Sequence, residues 1–140
     1  APPAPVPEAP ATFRALHRAI RDGLGDAIHD LSEGGLAVAA AEMCIAGRLG
    51  LELDLKPVPR TSDVTTDMAV LFAESNSRFL VEVSQATTDA FEQALSAQPF
   101  ARLGRVTSVP RLRIQGLEGA PAIDEPVRRL VNTWQSADIA

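Results

Sequence analysis

Apolar residues recur every three to four positions in some stretches and every second position in others, and the switches between the two periods divide the chain into elements. Phe13, Leu16, Ile20 and Leu24 form one helical stripe over residues 12–24, ended by Gly23 and Gly25. Residues 26–28 read as a short strand. Residues 35–46 are rich in alanine and carry Leu36, Val38, Met43 and Ile45, which predicts a well-buried helix with Gly47 as its C-cap. Residues 50–55 alternate strictly, with leucines on one face and acids on the other. Pro57 and Pro59 then break the chain, and the caps offered by residues 62–67 predict a short helix over 67–72. Residues 79–83 form a strand and residues 87–97 a helix with Phe91, Ala94 and Leu95 inward, stopped by Pro99. Residues 100–108 and 111–115 read as two strands split by Val109-Pro110, hence as a hairpin near an edge, with Gly104 marking a bulge. After a loop over 116–121, residues 123–135 predict a closing helix with Asp124 as N-cap, Pro126 in the first turn, and Val127, Leu130, Val131 and Trp134 packing inward. Helices and strands interleave but include a hairpin, so the expected fold class is α+β, a mixed sheet with flanking helices.

One stretch joins chemistry-capable side chains to a backbone suited to close approach: His29-Asp30-Leu31-Ser32-Glu33-Gly34-Gly35-Leu36. A polar turn between a strand and a helix points unpaired N–H groups, and the positive end of the helix dipole, at whatever lies beside it. Two readings stand side by side. Gly34 and Gly35 could serve only close packing, with Asp30 and Glu33 as a capping pair, or the turn could contact an anion. A second polar run, Glu74-Ser75-Asn76-Ser77-Arg78, lies between apolar Val70-Leu71-Phe72 and the strand from Phe79, and reads as a solvated turn or a second binding loop.

Composition narrows the chemistry. The 140 residues suffice for one domain with a real core, and the net charge of −5, without a basic cluster, disfavours nucleic acid and anionic membrane. No tyrosine and one tryptophan leave little for base stacking. The lone Cys44 excludes an internal disulfide and fits a reducing cytosol, and its apolar helix suits a small core residue better than a thiolate. No apolar run approaches the ~20 residues that span a bilayer, and no signal peptide is visible. His17, His29 and Cys44 do not pair at a zinc spacing; a magnesium site on acids such as Asp30, Glu33 or Glu74 with phosphate oxygens stays open. Ser32 and His29 lack a third member for a triad, and neither a phosphate loop nor a dinucleotide fingerprint is present. Five of the first ten residues are proline, so residues 1–11 read as an extended linker before a domain over 12–140. A start without methionine in such a tail is what a trimmed piece of a longer protein would show.

The stretch from His29 through Glu42-Met43 resembles phosphoribosylformylglycinamidine synthase, specifically the C-terminal domain of its synthetase subunit. Four further blocks follow in order: GRLGLELDL (47–55), LFAESNSRFLVEV (71–83), RLGRVT (102–107) and PVRRLVNTW (126–134). The Gly-Gly-Leu turn is shared more widely, in aminoimidazole ribonucleotide synthetase, thiamine-phosphate kinase, selenophosphate synthetase and a hydrogenase-maturation protein. The histidine, the Ser-Glu pair and the Glu-Ser-Asn-Ser-Arg block favour the glycinamidine enzyme.

The resemblance implies the C-terminal domain fold of the aminoimidazole ribonucleotide synthetase-like superfamily. It also implies a reaction in which ATP activates the formyl amide of formylglycinamide ribonucleotide and ammonia from glutamine gives the amidine. ATP and magnesium are expected for the full enzyme, bound mainly by N-terminal synthetase domains, with a glutaminase domain or subunit as partner. This chain alone is expected to bind no cofactor, to contain no catalytic residue and to be inactive. Its implied contribution is to substrate or phosphate binding, through Asp30, Ser32, Glu33, Gly34 and Gly35. Glu74, Ser75 and Asn76 stand where the duplicated first half carries a Glu-Ser-Gln substrate motif, with Asn for Gln. The alternatives are a non-catalytic structural module, or the corresponding domain of another superfamily member. An isolated domain with faces left uncovered would self-associate.

Overall fold

The computed structural model describes residues 7–136. The chain runs α1 (Ala9–Arg21), β1 (Ala27–Asp30), α2 (Gly35–Gly47), β2 (Gly50–Asp54), α3 (Asp67–Phe72), β3 (Phe79–Glu82), α4 (Thr88–Ala94), β4 (Gly104–Thr107), β5 (Arg111–Gln115), β6 (Pro121–Pro126) and α5 (Val127–Ser136). The mixed α+β class follows the periodicity. The first helix starts three residues earlier than the proline content suggests: Ala9–Ala11 are helical, with Pro10 in the first turn, where its missing N–H is no loss. Pro7 and Glu8 form a turn before α1, and residues 1–6 of the expected linker lie outside the described residues.

Two sheets form. β1 and β3 make an antiparallel ribbon, and β4-β2-β5-β6 make a four-stranded sheet in which only β2 and β5 run parallel. The 100–108 and 111–115 segments are therefore not a hairpin, because β2 lies between them. Their link crosses the start of β2, where a Cβ on Gly50 would run into the Val109 carbonyl, the Thr107 hydroxyl and the Arg111 carbonyl. Only glycine leaves room for that crossing. Gly104 marks no bulge. It pairs in register with Leu53, and its bare Cα lies against the Glu52 carbonyl. Residues 121–126, expected as loop and helix start, form the edge strand β6; its prolines at both ends need no partner on the open side. Asp124 is thus a strand residue and not an N-cap.

The larger core lies between the four-stranded sheet and α2, α3 and α5. Leu51, Leu53, Leu112 and Ile114 face inward on β2 and β5, while Glu52 and Arg113 face out. Leu36, Leu55, Leu112 and Ile114 are essentially sealed, each worth about 1.5–3 kcal/mol of burial. α2 meets sheet, ribbon and two helices, which explains why it is apolar nearly all round. It ends with Arg48 in the left-handed region at φ 55°, beyond Gly47, so the C-cap falls one residue later than expected.

A smaller core joins α1, α4 and the outer face of the ribbon through Ala15, Leu16, Ala19, Phe91 and Leu95. Phe13 and Ile20, expected in the stripe, stay about half exposed, Phe13 standing edge-on to Phe79 at 5.8 Å. Trp134, expected inward, is 56% exposed on α5.

Candidate functional site

β1 delivers the chain to the edge of the ribbon. His29 and Asp30 belong to that strand, opposite Leu80 and Phe79, and not to the turn. The turn is Leu31 to Gly34. Leu31 is buried and anchors it, while Ser32 and Glu33 are exposed. Gly34 is the N-cap of α2 at φ 75° and Gly35 follows at φ 62°, both in the left-handed region where a side chain is strained. Gly35 has a further constraint, since its Cβ would stand 2.7 Å from the carbonyl oxygens of both Leu71 and Ala73. The end of α3 therefore rests directly on the start of α2.

That contact brings the two polar runs together. The Gly34 N–H donates to Glu74 Oε1 at 2.8 Å, and the Leu31 N–H donates to the Arg78 carbonyl at 2.9 Å. The loop from Ala73 to Arg78 is thus laced to the turn at both ends, forty or more residues away in sequence. The expected capping pair is absent: no side chain of the turn caps α2, and Glu74 from the second loop meets the Gly34 donor instead. Gly35 N–H donates to the Ser32 carbonyl at 3.3 Å. Asp30, Glu74, Ser75 and Asn76 are exposed, Gly34 is half-buried and Gly35 buried.

His29, beside the turn, bridges two elements. Its Nδ1 lies 2.7 Å from the Asp30 carbonyl and its Nε2 lies 2.8 Å from a Glu42 carboxylate oxygen on α2. Glu42 is a contributor that the sequence did not single out, since its spacing from His29 matches no motif. Arg78 is the other. Its Nη1 donates to the Ala73 carbonyl at 3.2 Å, the oxygen against which Gly35 also rests. Burial holds its guanidinium below the ordinary arginine value. The available signal was that Arg78 is the only cation in the polar run.

Among the described residues no three His, Cys, Asp or Glu side chains converge to hold a metal ion. Burial pushes the Cys44 thiol up to about 11, against a smaller opposing contribution from a backbone hydrogen bond at Leu51, so it is no nucleophile. Two open depressions, of about 510 and 400 Å³, lie along the 58–65 loop and over the outer face of β2 and β4. Neither reaches the turn. The edge carries hydroxyls, carboxylates and one guanidinium, while the Leu31, Gly34 and Gly35 N–H groups are engaged within the protein.

Comparison with known proteins bears on this edge. Residues 3–116 match the family described as AIR synthase related protein, C-terminal domain. The chain is 39% identical over 130 residues to phosphoribosylformylglycinamidine synthase subunit PurL of Synechocystis sp., covering 91% of this chain and 16% of that protein. It is also 39% identical over 116 residues to the subunit PurL of Deinococcus radiodurans, covering 83% of this chain and 15% of that protein. It spans about a sixth of the length of these relatives. Among solved structures, Thermotoga maritima PurL complexed with FGAR superposes with a TM-score of 0.78 at 22% identity, over 87% of this chain and 20% of that one. Hydrogenase maturation protein HypE superposes with a TM-score of 0.66 at 17% identity, over 77% of this chain and 39% of that one. These likenesses show a shared fold. With the family matched over more than three-quarters of its length, the chain belongs to the AIR synthase related protein, C-terminal domain family.

Proposed function

We propose that this chain is the C-terminal domain of a PurL-type phosphoribosylformylglycinamidine synthase, an ATP-dependent ligase of purine biosynthesis, and that it supplies one wall of a ligand cleft. The observation that carries the reading is the Gly34–Glu74 hydrogen bond, which fuses the two blocks most specific to the resemblance into a single edge. An edge of hydroxyls, carboxylates and a guanidinium is half a site. Its other half, with the groups that hold ATP and magnesium, belongs to N-terminal synthetase domains, and a glutaminase domain or subunit supplies ammonia in the cytoplasm. In that setting ATP activates the formyl amide oxygen of the ribonucleotide, and ammonia displaces phosphate to give the amidine. Asp30, Ser32, Glu33 and the Glu74–Asn76 segment bind and orient; none transfers a proton or a phosphoryl group.

The test uses the full-length protein that carries this chain. Ser32→Ala and Glu33→Gln, both exposed positions, are expected to raise KM for the ribonucleotide or for ATP with a smaller change in kcat. The 140-residue chain alone is expected to give no turnover with ATP, ammonia and the ribonucleotide, and turnover by it would overturn the reading.

A second reading, a structural module without ligand contact, is favoured by the closure of the Gly34 donor by Glu74 and the burial of Gly35 under α3. Unchanged affinities in both variants would select it. Uncovered apolar side chains such as Met68, Val109 and Trp134 support self-association of the isolated chain. A monomer by light scattering at high concentration would contradict that.

A further inference from the structure

The basic residues of this chain divide sharply by environment. Most of the thirteen are exposed, where an arginine needs no partner because water solvates it. Among the described residues only Arg78 and Arg111 are half-buried. Arg111 is paired with Asp124. Arg78 has no carboxylate within 4.0 Å among the described residues, and its one protein acceptor is the Ala73 carbonyl. A partly desolvated cation without a counter-charge is costly, and it persists where something else supplies the charge.

The fold holds Arg78 in place rather than leaving it loose. Its own carbonyl is tied to Leu31, its guanidinium to Ala73, and the preceding Ser77 sits in the left-handed region at φ 65°. No buried side-chain nitrogen or oxygen among the described residues lacks a partner, so Arg78 Nε and Nη2, which make no hydrogen bond within the described residues, each keep some access to solvent. A guanidinium carries five donors, and one is used here. Among the described residues, the side chains of Ser32 on the turn and of Ser75, Asn76 and Ser77 on the loop that carries Arg78 make no hydrogen bond within the protein, although each can donate. The nearest acid of the loop, Glu74, is already engaged by Gly34.

We propose that Arg78 is the anion-recognising residue of this edge, its guanidinium fork taking the phosphate group of a ligand laid across the turn and the Glu74–Arg78 loop. A planar fork flanked by hydroxyl and amide donors suits a tetrahedral oxyanion, which accepts from several directions at once, better than a lone carboxylate. The inference rests on the proposed function only in placing a ligand at this edge. Its probe, inorganic phosphate, is indifferent to which reaction the full-length protein runs.

The experiment is a backbone-amide NMR titration of the 140-residue chain with inorganic phosphate, and with acetate in parallel at matched ionic strength. Phosphate is expected to bind with a Kd on the order of millimolar, moving the amides of residues 75–78 together with the Arg78 Nε–H signal. Arg78→Gln is expected to weaken binding by about ten- to a hundredfold, and Arg78→Lys by less. Should Arg78→Gln fail to fold, the Arg78 Nε–H signal of the unaltered chain still decides, because it must move with phosphate. Equal phosphate affinity in a folded Arg78→Gln chain overturns the proposal, as does a stationary Nε–H signal. Acetate saturating the same amides as tightly as phosphate also overturns it, since the partner would then be a carboxylate such as a neighbouring domain supplies. If phosphate binds as expected but the Ser32 and Glu33 variants leave the full-length enzyme unchanged, the ligand-binding role given to Ser32 and Glu33 falls and the anion site stands.

Discussion

The outer face of the four-stranded sheet and the edge made by the turn and loop are both crowded with charge, yet they settle it in opposite ways. On the sheet, Arg105 and Arg113 both reach Glu52, Arg113 also reaches Asp124, and Asp124 holds Arg111. The charges alternate across four strands and satisfy one another. At the edge, Glu74 spends its carboxylate on a backbone N–H and Arg78 is left with a carbonyl. A charged surface that closes on itself fastens strands; one with donors to spare is equipped to meet something else.

The sharpest way to break this contrast is to destroy the edge and leave the sheet. Gly35→Val places a branched side chain at φ 62° against two carbonyl oxygens, with no flexible neighbour to yield. We expect a loss of about 3 kcal/mol or more in urea denaturation. Gly47→Ala at the other end of the same helix meets nothing within 4 Å and is expected to change stability by no more than about 1 kcal/mol, in the favourable direction. Comparable losses for both would mean that the close approach at Gly35 is not what holds the edge.

Gly104→Val attacks the sheet instead. Its side chain would press on the Glu52 carbonyl and detach the edge strand β4, together with the Arg105–Glu52 pair. Because an edge strand can move away, the expected cost is smaller, about 1–3 kcal/mol. The Gly34 amide should keep its hydrogen-exchange protection, which shows that the two regions are independent.

Glu74→Ala is milder again. It leaves a half-buried N–H to water, so a stability loss under about 1 kcal/mol is expected, with faster exchange confined to the Gly34 amide. Exchange spreading through α2 would mean that Glu74 holds the helix and not merely the loop.

The smallest effect is expected from acid. The Arg105 hydrogen bond, reinforced by Arg113, holds Glu52 below its ordinary value, and Arg111 does the same for Asp124. A carboxylate with a depressed folded value stabilises above its unfolded pKa, about 4 for these groups, and loses that contribution as pH falls through the folded value. Glu52→Gln with Asp124→Asn should therefore flatten the fall of the urea midpoint below about pH 4 and hardly alter it at neutral pH, where exposed pairs count for little. An unchanged acid limb would show that the sheet face is only solvated charge.

Helix and strand periods were legible wherever one face meets the core: the alternation of residues 50–55, the apolar helix α2, and α3 with its Thr66 cap accepting from the Ala69 N–H. They failed at the margins. β6 carries prolines that an edge tolerates and a central strand would not, and Trp134 continues the periodic pattern of Val127 and Val131 yet is exposed. The Gly-Gly turn and the polar run could each be picked out from sequence; that they meet along one edge could not.

By itself, then, the sequence determined the alternation of elements, the α+β class, the family and the two polar segments, because periodicity and motif are local properties of the chain. The tertiary structure decided the strand order, the pairing of Glu74 with Gly34, and the isolation of Arg78. Those depend on which residues distant in sequence share a low-dielectric neighbourhood, and on whether an opposite charge is within reach there.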